Sequence, residues 1–525
     1  MRDRLVNRAL NPLLADLPAK FEQILEYQIP VIADIVKAFD AGERVVVLDA
    51  PTGSGKTLIA EVVRRMLDTD GVYVCSSKQL QAQFLGDFDD SRVLYGKANY
   101  HCDTYGNCED GIDAGCGADC GWRRAREEAG DAKTAVVNSA LWFLTRWNRG
   151  LTVIDEFDTL ESVLMGQAEI WLSARAQQRW GVEPPKKMTV EASYREWAEK
   201  TLRLLKAQRK RLKGKSPLVL AERRKLSGLI GNVELLLGDL EAGFPWVYTG
   251  GAGSERRAGE TVAFKPVKVD RLGMARIWSS GKRFLLMSAT VISAGVRLRD
   301  LGWDASFAEV RMSSQFPAKN RPVVVRPVAS MTRAGQENGV GAVVGEVSRI
   351  VDAHDGERVL VHTVSYRLAQ TVVEGLRSGS RTVVDYSDAA GRQAALERFL
   401  ACPGAVLVAP SMERGVDLPG DACRVQIVLK VPLPNLGDKQ VSARLYAENG
   451  QVWYAMQTAA SLMQMVGRAV RSADDYAVCY ILDAHFLEWR KRWGHLFPGW
   501  FARAIRVERI EPRAVRQVSP ARVRW

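Results

Sequence analysis

The stretch RVVVLDAPTGSGKTLIAEVVRRML, residues 44–67, decides the fold. It opens with a β-branched apolar run, passes through a turn that contains two glycines, and continues with apolar residues at helical spacing. A strand, a glycine-containing loop and a helix in this order form the context that a phosphate-binding loop requires. The stretch therefore predicts a parallel α/β sheet with a nucleotide bound at the end of one strand.

The loop DAPTGSGKT, residues 49–57, contains the groups expected to bind phosphates. The residues predicted to bind the nucleotide here are Gly53, Ser54, Gly55, Lys56 and Thr57. The glycines let backbone N–H groups converge on phosphate oxygens, and Lys56 is expected to reach the β and γ phosphates of ATP. Thr57 is expected to hold magnesium at the helix N-terminus. The strict pattern has glycine where Ala50 stands, and a chance glycine turn is the alternative interpretation.

A phosphate-binding loop needs a partner carboxylate at the end of a neighbouring strand, and VIDEFD, residues 153–158, offers one. Asp155 is predicted to hold magnesium and Glu156 to polarise the attacking water. Alone, this pair is also typical of a solvated strand end. Together with Lys56 it indicates ATP hydrolysis.

A second group of polar residues follows helical spacing in QMVGRAVR, residues 464–471. Gln464, Arg468 and Arg471 fall on nearly one face of a helix. An arginine supplied from a neighbouring domain stabilises charge on the transferred phosphoryl group, so hydrolysis can depend on domain closure. A surface helix with two solvated arginines is the alternative interpretation.

Short apolar runs recur in two blocks, each followed by amphipathic stretches, which is typical of parallel sheets covered by helices. The first block contains runs at 44–50, 71–77, 134–140, 151–156 and 284–290. The second block contains runs at 321–328, 358–364, 381–387, 405–411, 424–430 and 477–483. Because 525 residues exceed what one hydrophobic core supports, two tandem α/β domains are predicted.

Two segments interrupt the first block. The segment NYHCDTYGNCEDGIDAGCGADC, residues 99–120, holds four of the eight cysteines. Residues 162–265 show helical periodicity and include KTLRLLKAQRKRLKGK, residues 200–215, with eight basic residues and no acidic one. A mostly helical insertion with antiparallel helices is predicted there. For the basic run, nucleic-acid binding and a solvated helix face are both open.

The clustered thiols are those of Cys102, Cys108, Cys116 and Cys120. Residues that turn easily separate them, so the loop can wrap its sulfurs around one centre. In a reducing cytoplasm such a cluster is more often a metal site or a catalytic site than a disulfide framework. Zinc and an iron–sulfur cluster both accept four thiolates, and the spacing does not decide between them.

Charge and hydropathy narrow the class of partner. Lys and Arg total 73 against 61 acidic residues, a formal charge of +12, which favours a polyanion such as nucleic acid. No apolar run approaches the ~18 residues of a membrane span, and residues 1–17 lack the apolar core of a secretory signal. We therefore expect a cytoplasmic protein without a membrane partner, associated with the nucleoid or, if virally encoded, present in the host cytoplasm.

Taken in order, these motifs resemble the iron–sulfur DNA helicases of superfamily two, the XPD/DinG (Rad3-like) family. The resemblance rests on DAPTGSGKT, CSSKQLQAQF, the cysteine segment, VIDEFD, FLLMSAT, SMERGVDLPGD and QMVGRAVR, spread over residues 20–485. It implies an α/β fold of two tandem RecA-like P-loop motor domains, with a cysteine-rich cluster insertion and a helical arch insertion in the first. ATP would be hydrolysed between the two motor domains.

The resemblance also implies domain boundaries. Motor domain 1 is predicted to comprise residues 1–97, 131–165 and 266–300. The cluster insertion is predicted at 98–130 and the arch at 166–265. Motor domain 2 is predicted at 301–510, followed by a basic C-terminal tail at 511–525.

Further site residues are implied where the sequence matches the family's motifs. Gln28 is expected to contact adenine, and residues 288–290 to couple hydrolysis to strand movement. The residues expected to contact both DNA and nucleotide are Glu413, Gly415 and Asp417. The four clustered cysteines are expected to bind a 4Fe-4S cluster, with zinc as the alternative. The sequence departs from the family at Asp158, where histidine is usual, and at His485, where arginine is expected.

The function that follows from the resemblance is an ATP- and Mg²⁺-dependent DNA helicase that moves 5′ to 3′ on single-stranded DNA and unwinds duplex DNA. One alternative is a nucleic-acid-stimulated translocase that does not separate strands. Another is a zinc-bearing DNA-binding protein with a nucleotide switch. The expected partners are single-stranded DNA and forked or displaced-strand DNA, bound by a monomer. Roles in DNA repair, replication and recombination are all open, as are accessory proteins.

Overall fold

The computed structural model describes residues 24–51, 53–117, 120–145, 147–250, 261–314, 316–377, 379–388, 390–410, 418, 420–467, 470 and 475–508. The chain divides into two compact units. Unit 1 comprises the residues up to Asp49, Gly55–Met312 and Asn435–Gly450. Unit 2 comprises Ala50–Ser54, Ser313–Pro434 and the residues from Gln451 onward.

Unit 1 is built on a parallel sheet. In the described residues its strands are β1 (Val45–Asp49), β2 (Gly71–Cys75), β3 (Ser91–Val93), β4 (Thr134–Asn138), β5 (Arg149–Asp155), β9 (Gly281–Ser288) and β10 (Ala308–Arg311). They lie in the order β10-β1-β9-β5-β2-β4-β3, and every neighbouring pair is parallel. The central strands are valine-rich and buried, as expected where helices cover both faces.

Helices connect and cover these strands. They are α1 (Ile29–Asp40), α2 (Lys56–Met66), α3 (Lys78–Asp87), α4 (Cys108–Asp113), α5 (Gly121–Asp131), α6 (Ser139–Thr145), α7 (Leu160–Ala168), α11 (Asp270–Arg276) and α12 (Ala294–Asp300). Polar side chains start several of them. The Ser77 hydroxyl accepts a hydrogen bond from the Leu80 N–H, and the Asn107 side chain accepts one from the Asp110 N–H. These caps satisfy backbone donors that the first helical turn leaves unpaired.

The insertion between β5 and β9 contains helices and a small sheet. Its further helices are α8 (Ala174–Trp180), α9 (Glu191–Arg211) and α10 (Pro217–Glu241). Helices α9 and α10 pack against each other, and α10 buries an apolar stripe that includes Leu226, Ile230 and Val233. The strands β6 (Ile170–Leu172), β7 (Trp246–Tyr248) and β8 (Val262–Pro266) form an antiparallel sheet in the order β6-β8-β7.

A helix from late in the chain also belongs to unit 1. Helix α16 (Lys439–Tyr446) begins at the cap Asp438, whose carboxylate accepts hydrogen bonds from two backbone N–H groups. Its Arg444 side chain is fully buried and forms an ion pair with Asp300 at the end of α12, with Glu161 3.9 Å away. The Gln440 amide donates a hydrogen bond to the Val267 carbonyl at 3.0 Å. These contacts anchor α16 to α12 and to the segment after β8.

Unit 2 has a second parallel sheet. Its described strands are β11 (Val323–Ala329), β12 (Val359–His362), β13 (Val383–Asp385), β14 (Val406–Ala409), β15 (Val425–Val428), β16 (Val478–Asp483) and β17 (Ile505–Val507), in the order β13-β14-β12-β15-β16-β11-β17. Its helices are α13 (Arg333–Ala353), α14 (Tyr366–Leu376), α15 (Arg392–Ala401), α17 (Gly450–Val466), α18 (His485–Trp493) and α19 (Gly499–Ala502).

Helices cover both faces of this second sheet. Val359 and Val361 of β12 pack with residues of α13 and α14, whereas Leu360 between them packs with Phe399 of α15. Successive side chains of a strand point to opposite faces, so this alternation means that neither face is left to solvent.

The two parallel α/β domains predicted from the apolar runs are confirmed. The insertion predicted as mostly helical contains the additional sheet β6-β8-β7, which the sequence did not indicate. Two of its strands have only three residues, too few for an alternating pattern to stand out. Within the described residues, no helix is both long and apolar enough to cross a lipid bilayer.

Candidate nucleotide site and cysteine centre

The carboxyl ends of three neighbouring strands bring the predicted catalytic motifs of unit 1 together. Strand β9 lies between β1 and β5, with Asp49 paired to Ser288 and Asp155 paired to Met287. The phosphate loop follows β1, the VIDEFD motif ends β5, and the SAT motif ends β9. Ligands of open parallel sheets bind at this edge.

The phosphate loop has the backbone geometry that its glycines predict. Gly53 and Gly55 both have φ near 77°, in the left-handed region, and helix α2 begins at Lys56 directly afterwards. A Cβ atom on Gly55 would lie 2.4 Å from the amide nitrogen of Gln28, a residue that is 2% exposed. The predicted adenine-contacting glutamine therefore lies against the residue just before α2, where a side chain would displace the Gln28 amide and the left-handed φ favours glycine.

A tyrosine joins the two residues predicted to hold magnesium. The Tyr73 hydroxyl donates a hydrogen bond to the Asp155 carboxylate at 3.0 Å, and it lies 3.4 Å from the Thr57 hydroxyl. Burial raises the pKa of Tyr73, and the nearby Asp155 carboxylate raises it further, so the phenol stays protonated. A hydroxyl and a carboxylate in one hydrogen-bonded group are oxygen ligands of the kind that Mg²⁺ takes. Thr57 and Asp155 would hold the ion.

Tyr73 was not predicted as a site residue. In the sequence it stands inside GVYVC, the apolar run of β2, where an aromatic residue indicates core packing. Its hydroxyl is a site group only because β2 lies beside β5 in the sheet, which places Tyr73 opposite Val153. A tyrosine hydroxyl in an otherwise apolar central strand is the signal that could have identified Tyr73 as a site residue.

Glu156 has an unusual backbone conformation. Its φ is 53°, left-handed for a residue with a side chain, and its side chain is exposed. Its N–H donates a hydrogen bond to the Asp155 carboxylate at 3.0 Å, and its carbonyl accepts one from the Thr159 hydroxyl at 2.8 Å. Such a conformation costs about 1–3 kcal/mol and is typical of functional sites. The turn separates the two carboxylates, with Asp155 near the loop and Glu156 towards solvent.

Asp158 connects the VIDEFD motif to the SAT motif. Its two carboxylate oxygens accept hydrogen bonds from the hydroxyls of Ser288 at 2.6 Å and Thr290 at 3.1 Å. Asp158 is 8% exposed, and both hydroxyls are buried. At this position, where the family usually has histidine, a carboxylate therefore joins the ends of β5 and β9.

Replacing Asp158 by alanine should lower the free energy of unfolding by roughly 3 kcal/mol, because two buried hydroxyls lose a charged acceptor. Urea denaturation would measure this loss. ATP binding should persist, while stimulation of turnover by nucleic acid should fall. The exposed Asp304 provides the control. Its replacement by alanine should change neither the free energy of unfolding nor the stimulation of turnover. Full stimulation in the Asp158→Ala protein would show that this link does not couple the two motifs.

The carboxyl group that ends β1 has a strongly shifted pKa. Burial raises the pKa of Asp49 to about 7, with Glu309 adding to the rise and Arg311 and Lys56 opposing it. Near neutral pH this group is therefore partly protonated next to the phosphate loop. A neutral acid repels phosphate less than a carboxylate does, which favours a polyanionic ligand here.

The predicted site residues of unit 2 are only partly described. Gln464 lies on α17 and is half-buried. The residues outside the described part of the chain are Glu413, Gly415, Asp417, Arg468 and Arg471. Their predicted roles stay predictions.

Two of the four clustered cysteines lie beside one glycine, and the other two contact each other. A Cβ atom on Gly111 would lie 2.8 Å from the Cys102 sulfur and 3.2 Å from the Cys116 sulfur. Cys108 opens helix α4, Cys120 precedes α5, and their thiols share a hydrogen bond. All four are free cysteines in the structure.

Burial and hydrogen bonds shift the pKa values of two of these thiols. Burial raises the pKa of Cys108. For Cys120 burial acts in the same direction, but hydrogen bonds from the Arg123 N–H and the Cys108 thiol outweigh it and lower the pKa. Thiols are the ligands that zinc and iron–sulfur clusters take, so four of them in one short segment suit a sulfur-liganded group. Across the described residues, no set of three or more His, Cys, Asp or Glu side chains is already placed to hold a metal ion.

Two family models and several solved structures match this chain. Residues 347–504 match the family model described as helicase C-terminal domain, and residues 22–115 match the model described as type III restriction enzyme, res subunit. An XPD helicase structure superposes with a TM-score of 0.63 at 14% identity, covering 93% of this chain and 100% of that chain. The chain has the fold of this XPD helicase structure.

Two further structures agree. Xpd4 from S. tokodaii gives a TM-score of 0.57 at 14% identity, over 92% of this chain and 100% of that chain. A structure described as XPD apo gives 0.58 at 15% identity, over 92% of this chain and 100% of that chain. No curated protein matches the sequence significantly. The predicted fold of two tandem RecA-like domains is confirmed, and so is the resemblance in fold to XPD.

Proposed function

We propose that this protein is a helicase of the XPD/DinG type that hydrolyses ATP to move along single-stranded DNA in the 5′ to 3′ direction and to separate duplex DNA. The observation that carries the proposal is the hydrogen-bonded group of Thr57, Tyr73 and Asp155 beside the phosphate loop. It supports a magnesium site beside the β and γ phosphates of a bound ATP. DNA as the substrate and the direction of movement are supported by the motif order that the chain shares with the XPD/DinG family.

The proposed chemistry is phosphoryl transfer to water. Lys56 would neutralise charge on the β and γ phosphates, and Glu156 would orient the attacking water. Magnesium, held by Thr57 and Asp155, would supply positive charge at the phosphates. Arg468 and Arg471 would stabilise the transferring group.

A basic surface on the insertion supports a nucleic-acid partner. On α9, Arg203, Lys206 and Lys210 are exposed and follow helical spacing, and the basic run continues beyond the helix to Lys215. Such a track can follow a phosphate backbone. Lys206 also pairs with Glu234 at 2.8 Å, so part of this charge is balanced locally.

The aromatic residues near the cysteine centre contribute less to this surface. Trp142 is fully buried and belongs to the core. The buried ring of Trp122 lies under two cations, with Lys97 5.3 Å and Arg126 5.5 Å from its centroid. We therefore propose that electrostatic contact, rather than stacking on these two rings, dominates binding near the cysteine centre.

The test compares turnover and strand separation on matched substrates. ATP hydrolysis should rise more with single-stranded DNA than with single-stranded RNA of the same sequence. Duplexes with a 5′ tail should be unwound, and duplexes with a 3′ tail should not. Displacement of a bound protein without strand separation would favour a translocase. Absence of stimulated turnover would favour a nucleotide switch on a DNA-binding protein.

We propose that residues 98–130 form a cluster insertion whose four cysteines bind a 4Fe-4S cluster, with zinc as the alternative. The closeness of the Cys102 and Cys116 sulfurs beside Gly111 supports this assignment. Iron, sulfide and zinc analysis of anaerobically purified protein decides between the two metals. We further propose that residues 166–265 form the arch and that the protein acts as a monomer on forked or displaced-strand DNA.

Two substitutions should empty the cysteine centre. Cys108→Ser removes a thiolate ligand, and Gly111→Ala introduces a methyl group 2.8 Å from the Cys102 sulfur. Both should lower bound metal at least about tenfold, in line with the strong dependence of such sites on every ligand. The matched control is Gly117→Ala, because a Cβ there has no atom within 4 Å. Wild-type metal content in Gly111→Ala would show that a methyl group at this position does not disturb the metal-binding sulfurs.

A further inference from the structure

One arginine of helix α10 contacts three carboxylates in the cysteine segment. The Arg224 guanidinium donates hydrogen bonds to Asp110 at 2.7 Å and to Asp113 at 2.8 Å, and it lies 3.7 Å from the Glu109 carboxylate. All three acidic residues belong to helix α4. Arg224 is separated from Asp110 by 114 residues in the chain.

The pairing is partly shielded from water. The side chain of Arg224 is 29% exposed and that of Asp110 is 10% exposed. The Asn107 amide also donates a hydrogen bond to the Asp110 carboxylate at 3.0 Å, so two neighbouring donors hold this side chain. A planar guanidinium that binds two carboxylates at once fixes their relative position, which a single point charge does not do.

Helix α4 determines where the sulfurs lie. Cys108 is its first residue, Gly111 lies at its middle, and the Cys116 N–H donates a hydrogen bond to the Gly111 carbonyl at 2.8 Å. The helix has only six residues, and isolated helices of that length are unstable in water. Its orientation therefore depends on contacts made by its side chains.

We propose that Arg224 is a positioning residue that holds α4, and with it the cysteine centre, against helix α10 of the insertion. Binding of a sulfur-liganded group and docking of α10 are then linked, and each stabilises the other. The nature of the group rests on the proposed function, whereas the role of Arg224 in placing the thiols does not. The contacts of Arg224 with α4 would then transmit a change at the thiols to the insertion.

The test is Arg224→Gln in the full-length protein. Iodoacetamide labelling of each cysteine, followed by mass spectrometry, should show Cys108 and Cys116 reacting about tenfold faster than in the wild type. Hydrogen exchange should increase both in residues 107–117 and in residues 217–241, and bound iron or zinc should fall at least twofold. A merely local surface role would leave the exchange of α4 unchanged.

Two matched variants complete the experiment. Arg195→Gln removes another arginine contact to α10, that with Glu241 at 3.8 Å, and should leave thiol labelling at the wild-type rate. Arg224→Lys keeps the charge and should restore part of the protection. Unchanged labelling and exchange in Arg224→Gln would overturn the proposal. Faster labelling in a protein that binds no metal even as wild type would support the role of Arg224 and contradict the proposed cluster.

Discussion

Lys56→Ala is expected to reduce ATP turnover by roughly 10³-fold, to near background. The ammonium group at the start of α2 is the cation that the phosphate loop would present to the β and γ phosphates, and loss of one preorganised donor costs about this much. The fold should persist, because alanine is the best helix former and Lys56 is only partly buried. Part of the affinity for DNA should also remain.

Steady-state ATP hydrolysis with and without single-stranded DNA measures this effect. Lys37→Ala provides the control, since Lys37 is an exposed lysine in the last turn of α1. Unfolding curves of both variants should overlay that of the wild type. Retained turnover in a folded Lys56→Ala protein would remove the assignment of this loop to the γ phosphate.

Arg444→Leu is expected to lower the free energy of unfolding by roughly 3–5 kcal/mol, because it leaves the buried Asp300 without its ionic partner. Thermal and urea denaturation would measure the loss. The double variant Arg444→Leu with Asp300→Leu should recover most of it, since apolar pairs replace buried ion pairs at little cost. The exposed pair of Lys186 and Glu196 is the control, and Lys186→Ala should cost at most about 1 kcal/mol.

The buried pair of Arg444 and Asp300 also predicts how stability depends on pH. Burial raises the pKa of Asp300 above its ordinary value, and Arg444 opposes this rise. An acid with a raised folded-state pKa stabilises the fold fully below its unfolded value of 3.8, and this contribution is lost as pH rises through the folded value. Without Arg444 the folded pKa rises further. Destabilisation in Arg444→Leu should therefore be larger at pH 8 than at pH 5, and equal destabilisation at both would contradict the role assigned to Asp300.

The phosphate loop illustrates what local sequence can predict. Its strand, its glycines and its helix lie within 24 consecutive residues, so every group that defines it is visible in one stretch. The parallel strands were predictable for the same reason. The β-branched composition of a run such as VVVLD indicates a buried strand, whichever strand lies beside it.

Other parts of the site depend on strand order. Tyr73 reaches Asp155 because β2 lies beside β5, and Asp158 reaches Ser288 because β5 lies beside β9. The residues of each pair are 82 and 130 positions apart in the chain. No local periodicity reports such a pairing, because strand order is set by the packing of the whole sheet.

The sequence by itself determined the class of fold, the phosphate loop, its partner carboxylates and the presence of a four-thiol segment. These features are encoded by neighbouring residues, through side-chain shape, glycine conformation and spacing. Tertiary structure alone decided that Arg224 contacts the carboxylates of α4 and that Arg444 is buried against Asp300. Each of these is a contact between distant parts of the chain, whose energy exists only once the chain has folded.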